Sequence, residues 1–273
     1  MKLRLGGNVF VESNDPEVLA QAHVDAGFNA AYAGIIPLED TARIRATREA
    51  FARRDILFAE VGAWVNLVTP DSVLARKNFD HTCRCLALAD ELGAPVCVTF
   101  LGSREPGTAF SPHPENLEPE VFDLAVEIVR KIVDEVQPRN ARFGLEMMQW
   151  NLPDSVDCYA ALLKAVERKA FAVHVDPVNF VMTPRQYYHT GDLIREIFRV
   201  LGPDIVACHA KDLVIRDRLA LHFDEVRPGL GILDYRVYLQ EIARLGREVP
   251  LMMEHLTTAE EYRLSRDFIL SQQ

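Results

Sequence analysis

Four apolar segments of the chain each carry, near their end, a side chain of a type that binds metal ions. ARFGLEMM contains Glu146, FAVHVDPVN contains Asp176, IVACHAKDL contains His209 and VPLMMEHL contains Glu254. A carboxylate on a segment that otherwise favours the interior is costly unless it is paired or bound to a cation. Three carboxylates and one imidazole that converge on one point form a site for a divalent cation. The sequence therefore predicts these four residues as metal ligands.

The donor set also limits which cation such a site prefers. Three carboxylates and one nitrogen suit manganese, magnesium or cobalt, and zinc or iron is also compatible with these ligands. We expect one divalent ion and favour Mn²⁺, with Mg²⁺, Co²⁺ or Zn²⁺ as alternatives.

The elements that must position these side chains alternate along the chain. Short apolar runs predict eight β-strands, at Lys2–Gly6, Ala30–Gly34, Leu57–Gly62, Pro95–Leu101, Arg142–Met147, Phe171–Asp176, Ile205–Lys211 and Pro250–Leu256. Longer amphipathic segments predict eight α-helices, at Pro16–Ala26, Glu39–Arg53, Asp71–Leu92, Leu117–Val136, Ser155–Glu167, Arg185–Leu201, Tyr235–Leu245 and Ala259–Leu270.

This alternation predicts the fold class. Strands that alternate with helices indicate parallel strands joined by right-handed crossovers. Such units form either a closed barrel or an open doubly wound sheet, and the open sheet usually binds its ligand beside a glycine-rich first turn. Here the polar residues follow the last four strands, which is typical of a barrel mouth. We therefore predict an α/β protein with one domain over residues 1–273, a single (β/α)8 TIM barrel.

Side-chain alternation indicates what lies deeper in the barrel. Because successive side chains point to opposite faces of a strand, Glu146 takes Gly144 inward and Asp176 takes His174 inward. Most of the deeper residues are small or apolar, as a filled barrel requires. His174 is the exception, and we expect it one layer beneath the metal, bonded to a ligand carboxylate or a backbone carbonyl.

Glycines mark the predicted junctions between helices and strands. Four of the helices end in a glycine just before the next strand, at Gly27, Gly93, Gly202 and Gly246. Glycine readily takes the left-handed conformation that ends a helix. We expect that conformation at all four positions.

The composition excludes several kinds of partner. The 273 residues carry a formal net charge of −10, which argues against nucleic acid or an anionic membrane as the main partner. A small anionic substrate remains compatible, because the charge at a site can differ from the total. The five cysteines include no C-x-x-C pair and are expected as reduced thiols in the cytoplasm. Neither a signal peptide nor an apolar run of membrane-spanning length is recognised.

The same segments resemble a known family. A Glu, an Asp, a His and a Glu on the fifth to eighth strands, in that order, are similar to the ligands of the xylose-isomerase-like sugar phosphate isomerase/epimerase barrels. This group includes D-tagatose 3-epimerase, hydroxypyruvate isomerase and inosose dehydratase. The resemblance covers essentially the whole chain. Three local motifs agree with it: Asp176-Pro177-Val178-Asn179, His209-Ala210-Lys211-Asp212, and Pro228-Gly229-Leu230-Gly231 followed by Asp234.

The resemblance implies a metal-dependent isomerase or epimerase that acts on a keto-sugar or a related small polyhydroxy carbonyl compound. In such enzymes a base removes the proton beside the carbonyl, and the metal stabilises the enediolate that forms. It implies that Glu146 and Glu254 are both ligands and proton carriers. It also implies a sugar or sugar-phosphate substrate and, since barrels of this type often assemble, a homo-oligomer such as a dimer or tetramer.

Further residues near the predicted strand ends are candidates for binding the substrate. We expect this role for Asn179, Lys211, Asp212, Arg227, Trp64 and Glu60. Asn179 stands where many ketose epimerases carry a histidine, and the loop DLVIRDRLALHFDEVRPGLG is longer than the short loop of those enzymes. An aromatic face such as that of Trp64 suits the C–H surface of a sugar. Because of these departures, the resemblance does not specify the substrate.

Three alternative functions use the same barrel. A dehydratase or lyase of a keto-sugar or inosose would use the same cation and base, and then expel a hydroxyl group. A nuclease of the endonuclease IV type needs several zinc ions and more histidines at strand ends than this chain offers. A non-catalytic metal-binding barrel would keep the ligands without turnover.

Overall fold

A computed structural model describes residues 2–273 and shows a closed barrel of parallel strands. The barrel strands are β1 (Arg4–Gly6), β2 (Ala30–Tyr32), β3 (Leu57–Gly62), β4 (Val96–Thr99), β5 (Arg142–Glu146), β6 (Phe171–Val175), β7 (Ile205–Ala210) and β10 (Pro250–Met253). Around the ring their order is β1–β10–β7–β6–β5–β4–β3–β2. Strands β8 (Asp212–Ile215) and β9 (Phe223–Val226) form a separate antiparallel hairpin.

Helices connect the strands, as the alternation predicts. They are α1 (Pro16–Asp25), α2 (Thr41–Ala52), α3 (Ser72–Leu92), α4 (Pro119–Val136), α5 (Val156–Val166), α6 (Pro184–Tyr188), α7 (Thr190–Leu201), α8 (Tyr235–Arg244) and α9 (Ala259–Ser271). The prediction of a (β/α)8 TIM barrel is confirmed.

The left-handed conformation predicted for four glycines at helix ends is present at three of them. Gly27, Gly93 and Gly246 have φ angles of 74°, 78° and 67°, in the left-handed region. The prediction for Gly202 is wrong, since its φ is −47°. There the helix α7 continues directly into a 3-10 turn at Gly202–Asp204, so the chain needs no left-handed residue before β7.

Two further local features differ from the predictions. The helix expected at Arg185–Leu201 is divided into α6 and α7, because His189 leaves the helical region with φ −133°. The segment between His209 and α8, which we read as a loop, contains the β8–β9 hairpin, with Asp212 opposite Val226. Both features depend on packing against the barrel, which local sequence patterns do not report.

Four adjacent strands carry the predicted metal ligands at their carboxyl ends. Glu146 is the last residue of β5, and Asp176 and Glu254 directly follow β6 and β10. The register pairs Glu146 with His174 and Met252 with His209. Because β5, β6, β7 and β10 are consecutive in the ring, their ends meet at one side of the barrel mouth.

Two further features concern membrane-spanning helices and the cysteines. None of the helices in residues 2–273 combines the length and the apolar composition that crossing a bilayer requires. The five cysteines are free thiols. Burial raises the pKa of the Cys208 thiol to about 12, which disfavours the reactive thiolate.

Candidate metal centre and active-site cleft

The structure brings the four predicted ligands together. Glu146, Asp176, His209 and Glu254 each offer one donor atom, and these atoms lie within 4.8 Å of one another. His209 and Asp176 are fully buried, and the Glu254 side chain is 11% exposed. The cluster therefore opens towards the barrel mouth on the side of Glu254.

The imidazole of His209 lies between two sets of carboxylates. Its Nδ1 is 2.9 Å from Glu254 Oε2 and 3.3 Å from Glu146 Oε1. Its Nε2, on the opposite edge of the ring, is 3.2 Å from Glu60 Oε2. A neutral His209 that donates its Nε2–H to Glu60 would present the Nδ1 lone pair to the centre of the cluster, as a metal ligand requires.

Glu60 and His174 form a buried pair beneath His209. The Nε2 of His174 is 2.8 Å from Glu60 Oε2, and both side chains are buried. Burial raises the pKa of Glu60, but His209 and His174 outweigh this effect and lower the pKa to about 2. The geometry places Glu60 under His209, and Glu60 also lines the cleft, so its predicted contact with a substrate stays a prediction. His174 lies beneath the ligands as expected, but its partner is Glu60 on β3, three strands away in the ring.

Lys211 reaches into the centre of the cluster. Its Nζ lies 2.7 Å from Asp176 Oδ2 and 2.9 Å from Glu254 Oε1. Burial lowers the pKa of the ammonium, but Asp176 and Glu254 outweigh it and hold the pKa above its ordinary value. Neither contact has hydrogen-bond geometry, and the two carboxylate oxygens find no hydrogen-bond partner within residues 2–273.

These observations fit a divalent cation. The donor set consists of three carboxylates and one imidazole nitrogen, which is the chemistry of manganese and magnesium sites. Burial raises the pKa of Asp176 to about 6, and Lys211 offsets this only in part, so a further positive charge would stabilise the ionised carboxylate. Glu60, His174 and His209 also lie within ligand distance of one another. Glu60 is already paired with both imidazoles, so the four-residue set is the better metal site.

A cleft of about 620 Å³ lies above the cluster. Asn179 lines it and donates from Nδ2 to Glu146 Oε1 at 3.2 Å. One wall is apolar and consists of Ile35, Trp64, Phe100 and Phe110. The cleft thus places a polar, metal-binding floor opposite an aromatic surface.

The position of Trp64 depends on a glycine. Trp64 follows β3 with a φ of 43°, and its side chain is 39% exposed. A Cβ on Gly62 would lie 2.0 Å from the indole Nε1 of Trp64. The indole therefore folds back over Gly62 and covers the strand end beside the cleft.

Two predicted substrate residues lie elsewhere. Asp212 accepts backbone N–H groups of Gly229, Gly231 and Leu233, at distances between 2.9 and 3.1 Å, and so holds the loop after β9. Arg227 is not among the cleft residues of the described chain, and it donates to the carbonyl of Pro228. Neither residue lines the cleft, and their predicted contacts with a substrate stay predictions.

Several residues that line the cleft were not predicted from the sequence. Ile35 and Phe100 follow β2 and β4, so their position just beyond a strand end was an available signal. Phe110 comes from a long loop, and no local pattern placed it near the mouth. His255 lines the cleft and pairs with Glu225 at 2.9 Å, although strand alternation from Glu254 would point it outward. Its φ of 57° turns the chain there, so strand alternation no longer holds.

Solved structures share this fold at low sequence identity. A xylose isomerase-like TIM barrel protein from Mycobacterium smegmatis in complex with magnesium has 20% identity and a TM-score of 0.69, covering 94% of this chain and 87% of that one. D-psicose 3-epimerase from Clostridium cellulolyticum H10, solved with D-tagatose, has 15% identity and a TM-score of 0.72, covering 99% of both chains. A probable 3-DHS dehydratase from Bacillus anthracis has 16% identity and a TM-score of 0.71, covering 100% and 99%.

The family of the chain is shown by comparison of its sequence with known families. No match among curated proteins was found. Residues 20–272 match the family described as xylose isomerase-like TIM barrel. This match spans nearly the whole chain and agrees with the closed barrel. The chain belongs to the xylose isomerase-like TIM barrel family.

Proposed function

We propose that the protein is a divalent-metal-dependent isomerase or epimerase of a keto-sugar or a similar small polyhydroxy carbonyl compound. The observation that carries this proposal is the convergence of Glu146, Asp176, His209 and Glu254 at the floor of a cleft. Two of these carboxylates, Glu146 and Glu254, come from strands three steps apart in the ring. They can therefore approach a bound substrate from different sides.

The chain's own residues can hold and move a proton at this site. A bound divalent ion would polarise the substrate carbonyl and stabilise the negative charge that develops when the neighbouring carbon loses its proton. The contacts of Glu146 with Asn179 and His209 use Oε1, which leaves Oε2 to accept that proton. Glu254 is the second candidate base. Burial raises its pKa, but His209 and Lys211 outweigh burial and hold the pKa well below the ordinary value.

The lining of the cleft favours an uncharged substrate. Within residues 2–273, no arginine lines it, and its lysine, Lys211, already contacts Asp176 and Glu254. A phosphate group is normally bound by several donors, with arginine prominent among them. The aromatic wall instead offers a surface for C–H groups. We therefore propose an unphosphorylated sugar rather than a sugar phosphate.

A deuterium-exchange screen tests the proposal. The purified protein is first analysed for bound metal, and is then incubated in D₂O with ketoses, keto-acids and their phosphates. We expect Mn²⁺-dependent deuterium incorporation beside the carbonyl of an unphosphorylated ketose, with an isomer or epimer as product. A dehydrated product would instead assign the protein to the lyases. Absence of incorporation and of product over the whole panel in the Mn²⁺-loaded protein would refute the proposed function.

A further inference from the structure

We propose that the ammonium of Lys211 occupies the metal position when no metal is bound, and that an incoming divalent ion displaces it towards Glu225. Lys211 would thus be an internal counter-ion that competes with the metal, and it would couple metal occupancy to the β8–β9 hairpin. This inference rests on the proposed metal site, and the experiment below separates its failure from that of the proposed function.

The ammonium contacts two of the carboxylate oxygens that a metal ion could bind. Lys211 Nζ lies 2.7 Å from Asp176 Oδ2 and 2.9 Å from Glu254 Oε1. A divalent ion the size of magnesium binds carboxylate oxygens at about 2.0–2.1 Å, so an ion on Asp176 Oδ2 would lie no more than about 5 Å from an unmoved Nζ. Two cations at that separation repel strongly in a buried site. The ion can therefore enter only if the ammonium leaves.

Charge balance explains why the ammonium enters in the absence of metal. Glu146, Asp176 and Glu254 place three carboxylates around one imidazole, His209. Carboxylates that share a buried site without compensation disfavour ionisation and cost stability. Lys211 is 6% exposed and supplies one positive charge to the middle of this group. The metal-free protein is thus partly stabilised by its own lysine.

A second position for the ammonium is already within reach. Glu225 Oε2 lies 3.6 Å from Lys211 Nζ, and Asn179 Oδ1 lies 3.4 Å from it. The side chain of Glu225 is 37% exposed, so an ammonium that moves there regains water. Glu225 belongs to β9, opposite Leu213 of β8. Displacement would therefore exchange two contacts with metal ligands for one contact with the hairpin.

Only the side chain needs to move. Lys211 lies between the end of β7 and the start of β8. Its carbonyl accepts the hydroxyl of Tyr235 at 2.7 Å, which holds the backbone in place. The flexible four-carbon stem of lysine allows the ammonium to change partners without a change in the fold.

Calorimetric titration with Mn²⁺ tests the competition. We compare the wild type, Lys211→Met, Glu225→Gln and the double variant, all in the same buffer. Removing the competing ammonium should tighten Mn²⁺ binding by roughly tenfold or more. Glu225→Gln should weaken binding a few-fold when Lys211 is present and have no effect in the Lys211→Met background, which is the signature of coupling between the two residues. Arg216→Met, which removes a half-exposed cation from the same hairpin, is the matched control and should change the affinity less than twofold.

The outcomes separate the two proposals. If the wild type binds Mn²⁺ and Lys211→Met binds equally or more weakly, the counter-ion role is refuted and the metal site stands. If neither protein binds a divalent ion, the counter-ion role and the proposed function are both refuted. If Lys211→Met does not fold, Lys211→Gln serves the same comparison. A crystal structure of the Mn²⁺-loaded wild type gives an independent measurement: Nζ should lie beyond contact distance of Asp176 Oδ2, and Nζ remaining in contact with it would overturn the proposal.

Discussion

Charged side chains at the two ends of the barrel differ in their hydrogen-bond partners. At the amino end, Asp90 accepts hydrogen bonds from the backbone N–H groups of residues 139–141, and Arg247 donates to three backbone carbonyls between residues 202 and 205. These charges tie helices and loops to the starts of strands. Each hydrogen bond to a charged group contributes about 1.5–3 kcal/mol to the stability of the fold.

At the carboxyl end, buried polar atoms are left without such partners. Asp176 Oδ2, Glu254 Oε1 and His174 Nδ1 make no hydrogen bond within residues 2–273. Unpaired groups of this kind lower stability and persist in proteins mainly where a ligand uses them. The contrast indicates that the amino end holds the fold together, while the mouth keeps its polar groups for a ligand. Substitutions at the two ends should therefore have separable effects.

The largest effect is expected at the mouth, for Glu146→Gln. Glutamine keeps the shape of the side chain but cannot accept the substrate proton, and general bases typically contribute about 10²–10⁴-fold to rate. We expect substrate deuterium exchange to fall by about 10³-fold, measured by NMR, while most of the bound metal is retained by elemental analysis. The same change at the amino end, Glu248→Gln, is the control and should leave exchange intact. If Glu146→Gln exchanged substrate deuterium at the wild-type rate, Glu146 would not be the base that transfers the proton.

Chelation of the metal should give the next largest effect, and it acts on stability. A ligand present at 1,000 times its Kd stabilises the folded state by about 4 kcal/mol. We expect EDTA to lower the Tm of the Mn²⁺-loaded protein by several degrees, measured by calorimetry. A variant with both Asp176→Asn and Glu254→Gln should show no response to EDTA. Equal Tm values of the wild type with and without EDTA would contradict a metal at this site.

An intermediate effect is expected at the amino end, for Asp90→Ala. Loss of the carboxylate leaves backbone N–H groups unpaired, which costs about 1–3 kcal/mol, while the affinity for Mn²⁺ should not change. Burial raises the pKa of Asp90, but the N–H groups outweigh it and leave the pKa below the usual 3.8. The folded pKa is therefore lower than the unfolded one. The contribution of Asp90 is complete above pH 3.8 and is lost as the pH falls through the folded pKa.

Urea unfolding at several pH values measures this contribution. The difference in unfolding free energy between wild type and Asp90→Ala should be constant near neutral pH and shrink in acid. A difference that grows on acidification, or a change in metal affinity, would show that the two ends are not separable.

The smallest effect is expected for Trp64→Ala, on the apolar wall. Loss of one aromatic contact costs about 0.5–1.5 kcal/mol, so kcat/KM should fall by roughly two- to tenfold, mainly through KM. Metal affinity should stay unchanged. Phe10→Ala, an exposed aromatic residue outside the cleft lining, is the control in the same assay. Equal kinetics in Trp64→Ala and wild type would exclude this wall from substrate contact.

Local sequence patterns predicted much of the fold. The bounds of β3, Leu57–Gly62, were predicted to the residue, because a buried strand between a helix and a loop has a clear apolar pattern. Inward alternation also placed His174 beneath the cluster. It did not identify Glu60 as the partner of His174, since β3 and β6 are three strands apart in the ring and only the curvature of the barrel brings the two side chains together.

Other parts of the candidate site depend on choices that a sequence does not fix. The inward direction of Lys211 follows from its distance of two residues from His209, but the position of its ammonium depends on four rotatable bonds and on the surrounding charges. Asp212 follows directly in the chain and could equally have faced the cleft. The β8–β9 hairpin places the Asp212 carboxylate where it accepts the N–H groups of the loop. This hairpin was not predicted from the sequence.

The absence of a side chain at Gly62 has a consequence for how this barrel could diversify. Even a single methyl group there would collide with the indole at 2.0 Å and force the tryptophan away from the strand. The width of the entrance is thus controlled by one small position that takes no part in metal binding or proton transfer. Relatives could admit bulkier or slimmer molecules by changing that position alone, leaving the reactive machinery intact.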